Sequence, residues 1–239
     1  MREKSKYKRI LIKLSGEIMT GEEGVGIDPA ALRALAQEIK ELGELGIEMV
    51  LVIGGGNLIR GAQAADYGIE RVTADQMGML TTIINGLSLR DVLEEAGVST
   101  SLQSALPVGG LVAPYVRDHA LRDLKEKKVI IFVGGTGSPF FTTDTAASLR
   151  ALELGSEIIL KATKVDGVYD SDPLENPAAI KFNHISYQEI LQRRLQVMDF
   201  TAISLCMDNQ LPLVVFNIGA RGSMKRIILG GKEGTLIGR

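Results

Sequence analysis

Chemistry in this sequence has to rest on lysine, arginine, aspartate and backbone amides. Only two histidines, His119 and His184, and one cysteine, Cys206, occur in 239 residues, so a zinc site or a serine–histidine triad is poorly supplied. Cys206 stands in an apolar helical pattern, FTAISLCMD, and reads as a buried structural thiol rather than a nucleophile. What the chain does have is 27 glycines against 7 prolines, gathered directly after apolar runs. Arg9 to Leu14 opens into Ser15-Gly16, and Glu48 to Ile53 opens into Gly54-Gly55-Gly56. Val129 to Val133 opens into Gly134-Gly135-Thr136-Gly137, and Glu157 to Leu160 into Lys161-Ala162-Thr163. Glycine lets backbone N–H groups approach an anion closely, and the helix N-terminus that follows adds a positive dipole end. A tight strand–helix turn explains any one of these loops. Four together point to a phosphorylated ligand.

The two commonest phosphate-binding patterns fail. The P-loop spacing GxxxxGK(S/T) occurs nowhere, and the dinucleotide spacing GxGxxG breaks at Ser138-Pro139-Phe140 after Gly135-Thr136-Gly137, and at Pro29 after Gly24-Val25-Gly26. What remains is a less common arrangement in which Lys13, at the end of the first strand, lies near the triple glycine of the second.

Helical patterns separate the strands that must carry these loops. Asp28-Pro29 caps a helix with Leu32, Leu35, Ala36, Ile39 and Leu42 on one face and Gly43 and Gly46 near its end. Thr73 and Gln76 fit a capping box for a long helix toward Glu95, ended by Gly97. Asp144 begins a helix that Gly155 closes, and Ser186 to Met198 is amphipathic. Strand and helix alternate throughout, which predicts a three-layer α/β/α sandwich with a mostly parallel central sheet. In such a sheet ligands bind outside the carboxyl ends of the strands, where all four loops sit. One domain is expected over residues 1–239, with a soft division near residue 165, where VDGVYDSDPLENP predicts a hairpin or protruding loop.

Composition excludes other classes. Hydrophobic residues make up 45% and charged residues 23%, as in ordinary globular domains. A net charge of −2 argues against a nucleic-acid partner, so the basic opening residues read as a solvated tail. No run reaches the ~20 apolar residues of a membrane helix, and the opening MREKSKYKRI lacks an apolar signal core, so a cytoplasmic protein is expected.

Four segments together carry a family resemblance. They are Lys13-Leu14-Ser15-Gly16; Gly54-Gly55-Gly56-Asn57 with Arg60-Gly61; Gly135-Thr136-Gly137-Ser138-Pro139-Phe140-Phe141-Thr142-Thr143-Asp144; and Lys161-Ala162-Thr163-Lys164-Val165-Asp166-Gly167-Val168-Tyr169. The chain from about Tyr7 to Ile237 resembles the bacterial uridylate kinases of the amino-acid-kinase superfamily. The first and last segments are superfamily-wide, whereas GTGSPFFTTD is more diagnostic and departs only slightly, with Ser138 where Asn is also common.

The resemblance implies phosphoryl transfer from ATP to UMP, giving UDP for pyrimidine biosynthesis. Lys13, Leu14, Ser15, Gly16, Gly56 and Arg60 would meet the donor phosphates, with Gly54 to Gly56 donating backbone N–H bonds. Thr163, Tyr169 and Asp172 would line the adenine and ribose, although Tyr169 to Pro173 also reads as an ordinary turn. Gly55, Asp75, Thr136, Gly137, Ser138, Pro139, Phe140, Phe141, Thr142 and Thr143 would take UMP. Asp75 would accept from two ribose hydroxyls, or is simply a first-turn acid favoured by the helix dipole. Lys13, Arg60 and Asp144 would be catalytic, Asp144 orienting Lys13 unless it is a plain N-cap. Asp199 either reaches the site or ends a solvated helix. Magnesium would arrive with ATP, held by phosphate oxygens and water and not directly by the protein.

The resemblance also implies a homohexamer, activation by GTP and inhibition by UTP. Gly21, Glu22, Glu23, Gly24, Val25 and Gly26 match the GTP-linked segment, although a surface loop explains them as well, and Arg90, Arg117 and Lys128 could face a guanine nucleotide. A kinase for amino acids would need basic residues to clamp a carboxylate. A non-catalytic nucleotide sensor would lose the charged residues, yet Lys13, Arg60 and Asp144 are all present.

Overall fold

In a computed structural model, residues 5–21, 24–58, 68–173 and 175–238 are described. The apolar runs form β1 (Arg9–Leu14), β2 (Glu48–Ile53) and β5 (Val129–Val133), with the boundaries their sequences predict. The fourth run differs. β6 is Ile159–Thr163, so Lys161 and Thr163 lie inside the strand and not in a loop. Its start is set by pairing: the amide of Leu11 already bonds the Ile158 carbonyl, and Leu11 aligns with Ile159.

Five further strands join them: β3 (Thr100–Ser104), β4 (Ala113–Pro114), β7 (His184–Ser186), β8 (Leu213–Asn217) and β9 (Thr235–Gly238). The described strands make one sheet in the order β4-β3-β5-β2-β1-β6-β8-β9-β7. All neighbours are parallel except β8 and β9.

Helices α1 (Pro29–Glu44), α2 (Arg71–Glu95) and α7 (Ser223–Ile228) cover one face, and α3 (Arg117–Lys125), α4 (Thr143–Leu154), α5 (Tyr187–Arg193) and α6 (Phe200–Asp208) the other. The two-residue side-chain period sorts β1 between them. Ile10, Ile12 and Leu14 pack with α1 and α7, while Leu11 packs on the α4 side. Each fully buried side chain of this size contributes about 1.5–3 kcal/mol. The same alternation sends Lys13 toward α4.

Helix ends explain three departures from expectation. α1 starts as predicted, with Asp28 accepting from the Ala30 amide at 2.8 Å. α2 begins at Arg71, so Thr73 and Gln76 lie within its first turns and are not a capping box. In that extra turn Arg71 pairs with Asp75, four residues on. α4 is capped by Thr142, whose hydroxyl accepts from the Asp144 and Thr145 amides at 3.0 and 3.4 Å, so Asp144 is not the N-cap. α5 has the Ser186–Glu189 capping box but stops at Arg193, because Arg194 turns left-handed at φ 52°. The segment after β6 does fold back: Tyr169 bridges Lys181, and the Phe182 amide donates to Val168 O at 2.8 Å. No described helix is long and apolar enough to cross a membrane.

Candidate active site

Strands β5, β2, β1 and β6 are consecutive neighbours in a parallel arrangement, so their four carboxyl-end loops form one continuous rim. At its centre Lys13 on β1 and Lys161 on β6 occupy the same register. Parallel neighbours at one register project to the same face, and here that face carries the first turn of α4. Asp144 lies between them, with Lys13 Nζ 2.8 Å from Oδ1 and Lys161 Nζ 2.7 Å from Oδ2. The three side chains are only 10%, 13% and 12% exposed in the order Lys13, Lys161, Asp144. Lys161 also donates to the Val197 carbonyl. The Lys13 contact is an ion pair, and Oδ1 has no hydrogen-bond partner among the described residues.

Burial alone would raise the Asp144 pKa, but the charges of Lys13 and Lys161 outweigh it and hold the carboxyl below its ordinary range. Burial lowers the Lys161 pKa, opposed by Asp144 and assisted by Lys13. Two cations sharing one carboxylate leave net positive charge in a nearly dry place. That arrangement suits an incoming polyanion.

Backbone packing beside the lysines is too close for side chains. A Cβ on Gly16 would meet Asn57 Oδ1 at 2.6 Å, Gly56 N at 2.8 Å and Gly54 O at 2.9 Å. The Gly54 amide donates to Leu14 O at 2.8 Å, so among the three glycines it is not available to a phosphate, contrary to expectation. Asn57 and Asn85 exchange two amide hydrogen bonds, at 3.0 and 2.7 Å, and Asn85 also donates to Gly54 O. This buried pair pins the glycine loop to α2.

An open cleft of about 670 Å³, mouth included, lies between that loop and the one after β5. Gly55, Gly56, Asp75, Gly135, Ser138, Phe141, Thr142 and Thr143 line it. Ala74, Gly78, Met79 and Thr82 of α2 complete it. Gly55 packs on the Gly78 carbonyl of α2, where a Cβ on Gly55 would sit at 2.7 Å, so this position of the loop has no room for a side chain.

The structure sorts the expected residues. Lys13, Ser15, Gly16, Gly56 and Asp144 are gathered at the centre. The Leu14 side chain is in the core, so only its backbone faces the rim. Ser15 accepts from the Glu17 amide at 3.4 Å as a cap. Asp75 is in the second turn of α2, not the first, and accepts from Arg71 and from the Phe140 amide, which leaves room for fewer than two new donors. Thr136 and Ser138 bond each other, and the loop turns at Gly137 and Phe140 with φ of 81° and 68°. Thr163 gives its hydroxyl to Val165 O at 2.7 Å. Tyr169 donates to Asp166 at 2.6 Å, and Asp172 O accepts from Asn176 N at 2.8 Å; both lie on the β6 hairpin, away from the cleft lining.

Asp199 is no solvated helix end. It caps α6 at Ala202 N, 2.9 Å, and accepts from the hydroxyls of Thr142 and Thr145, tying α6 to the start of α4. Gly24 and Gly26 have φ of 71° and 81°, and the Gly26 amide donates to Asn57 O. Arg60, Glu22 and Glu23 lie outside the described residues. Lys161 is the member of the central cluster that spacing alone does not reveal. Its signal is a lone lysine in an otherwise buried strand, which requires a partner.

Among the described residues no group of three or more His, Cys, Asp or Glu could hold a metal. Asp144 and Asp199 are both engaged by donors, so the donor set fits a divalent cation only if that cation brings its own phosphate ligands.

An open, mostly parallel α/β sheet with paired lysines and glycine loops at its carboxyl edge defines a phosphate-handling α/β protein. The chain belongs to the amino acid kinase family, whose model matches residues 8–217. It is 52% identical over 232 residues to a uridylate kinase of Alcanivorax borkumensis, covering 97% of this chain and 92% of that protein. It is likewise 52% identical over 235 residues to one of Legionella pneumophila, with coverages of 98% and 95%. The UMP kinase structure from Bacillus anthracis superposes with a TM-score of 0.94 at 42% identity, covering 97% of this chain and 96% of that one. That from Ureaplasma parvum gives 0.91 at 38% identity, with both chains fully covered.

Proposed function

We propose that this protein transfers the γ-phosphoryl group of ATP to UMP, giving UDP and ADP. The observation that carries this reading is the Lys13–Asp144–Lys161 cluster standing beside a cleft lined by Gly55, Asp75 and the 135–143 loop. Relatives called uridylate kinase at 52% identity over nearly the whole chain support the acceptor. A UMP phosphate oxygen attacks the γ-phosphorus and forms the new P–O bond while the β–γ bridging bond breaks and ADP leaves with the electron pair. That oxygen is already anionic, so no general base is needed, and Asp144 serves to hold the lysines.

Lys13 and Lys161 oppose charge on the phosphoryl oxygens as they separate from both neighbours. The first amides of α4 and of the Gly55–Gly56 loop add positive potential without reorganising. Leu14, Ser15, Gly16, Gly56, Arg60, Thr163, Tyr169 and Asp172 form the ATP side, and Gly55, Asp75 and residues 136–143 the UMP side. Kinase chemistry with ATP uses a divalent cation, here magnesium, which neutralises phosphate charge when bound. The chain works as one domain divided near residue 165. It acts as a cytoplasmic homohexamer in pyrimidine nucleotide synthesis, with GTP activating through the 21–26 segment and UTP competing with UMP.

ADP release measured with UMP, CMP, aspartate and acetylglutamate tests the assignment. UMP turnover should dominate, because a polar base pocket rejects an analogue that leaves its groups unpaired. Equal turnover of CMP removes the selectivity, and preference for an amino acid removes the acceptor.

A further inference from the structure

Arg71 is the first residue of α2, with its cation placed at the positive end of the helix dipole. Helix stability does not explain it there. Its Nε stands 2.9 Å from both Asp75 oxygens, and its guanidinium lies 5.6 Å from the centre of the Phe140 ring. Phe140 needs holding. It occupies the left-handed region at φ 68°, unfavourable for a bulky residue, and the residue is 65% exposed, so the core does not secure it. Two contacts secure it instead: its amide donates to Asp75 Oδ2 at 2.8 Å, and its ring lies under Arg71. Asp75 lines the cleft with Ser138 and Phe141 of the same loop.

We propose that Arg71 is a positioning residue for the acceptor nucleotide. It fixes the Asp75 carboxylate and covers Phe140, so the 136–141 loop has its binding shape before the nucleotide arrives. Ordering a loop in advance removes that cost from binding and leaves the chemical step unchanged. The proposal rests on UMP being the acceptor held in this cleft.

Steady-state kinetics and hydrogen exchange on the full chain test it. Arg71→Ala should raise the KM for UMP about tenfold, equivalent to about 1.4 kcal/mol, with kcat and the KM for ATP within twofold. Arg71→Lys should recover part of the UMP KM, since an ammonium keeps the charge but lacks the flat face that stacks on a ring. Tm should not fall, because a cation is removed from a helix N-terminus. In ligand-free protein, amides of residues 136–143 should exchange several-fold faster in Arg71→Ala. An unchanged or lower UMP KM would show that Arg71 is idle or competes for Asp75. A joint loss in kcat and both KM values with a lower Tm would reduce Arg71 to a structural role. Failure of the wild type to phosphorylate UMP overturns the acceptor assignment instead, and the exchange comparison, which contains no nucleotide, still decides whether Arg71 holds the loop.

Discussion

Replacing Asp144 by asparagine keeps the shape of the side chain and removes the one negative charge between Lys13 and Lys161. At 2.7–2.8 Å and an effective dielectric near 20, each attraction is about 6 kcal/mol before desolvation is subtracted. Breaking a buried pair by removing one partner leaves a net loss of about 3–5 kcal/mol. For a chain of this size that lowers Tm by roughly 6–20 °C. The pH dependence has two limbs. The Asp144 pKa is depressed below 3.8, so its stabilisation is complete above that value and disappears as acid protonates the folded carboxyl. The Lys161 pKa is also depressed, below 10.5, and without Asp144 it falls further, so the variant regains stability as alkali neutralises the lysine. The wild-type advantage is therefore largest near neutrality and shrinks at both extremes. Urea unfolding from pH 3 to pH 10 measures it. Adding Lys161→Met to Asp144→Asn should restore more than about 1 kcal/mol relative to additivity, because the orphaned cation is gone. A loss below about 1 kcal/mol, or one that does not change with pH, would refute the claim that this carboxylate holds both lysines.

Lys13→Ala should lower kcat by roughly 10²–10³ with the KM for UMP nearly intact, as expected for a charge that acts in the transition state; near-normal turnover means the cation is elsewhere. Gly16→Ala places a Cβ 2.6–2.9 Å from Asn57 Oδ1, Gly56 N and Gly54 O, and overpacking of this kind costs about 1–3 kcal/mol. Calorimetry should show the lower Tm, and the KM for ATP should rise with it; a wild-type Tm would show that the two loops can move apart.

Fold and site differ in how far the sequence discloses them. β1, β2 and β5 are largely apolar runs that open into glycine loops, and such a pattern has few other uses. β3 is TSLQS, with buried Gln103 and Ser104, and a strand held by polar partners such as Asp123 leaves no apolar signature. β8, LVVFN, is as apolar as β2, and Gly219 stands two residues beyond it as Gly16 does beyond β1, so this strand is legible by the same pattern. Glycine and lysine positions around the rim are legible because backbone approach and charge are demanded locally. The role of Lys161 depends on its register with Lys13 across more than a hundred residues of sequence, which no local pattern encodes. Thr142 looks like one more hydroxyl of the loop until the helix it caps is seen to start one residue later.

The place of β9 in the sheet sets an order of assembly. Among the described strands β7 pairs only with β9, and β9 is synthesised roughly 50 residues after it, a delay of about 3–10 s at ordinary translation rates. Thr235, on β9, also accepts from the Val168 amide and donates to the Phe182 carbonyl, clasping both ends of the hairpin that bears Tyr169 and Asp172. During synthesis β1, β2, β3 and β5 can pair as they emerge, whereas the far edge and this hairpin stay unclasped until residue 235 has left the ribosome. A nascent chain can therefore shape the cleft between the β2 and β5 loops before the hairpin after β6, and β9 completes both the sheet of described strands and the second half of the rim.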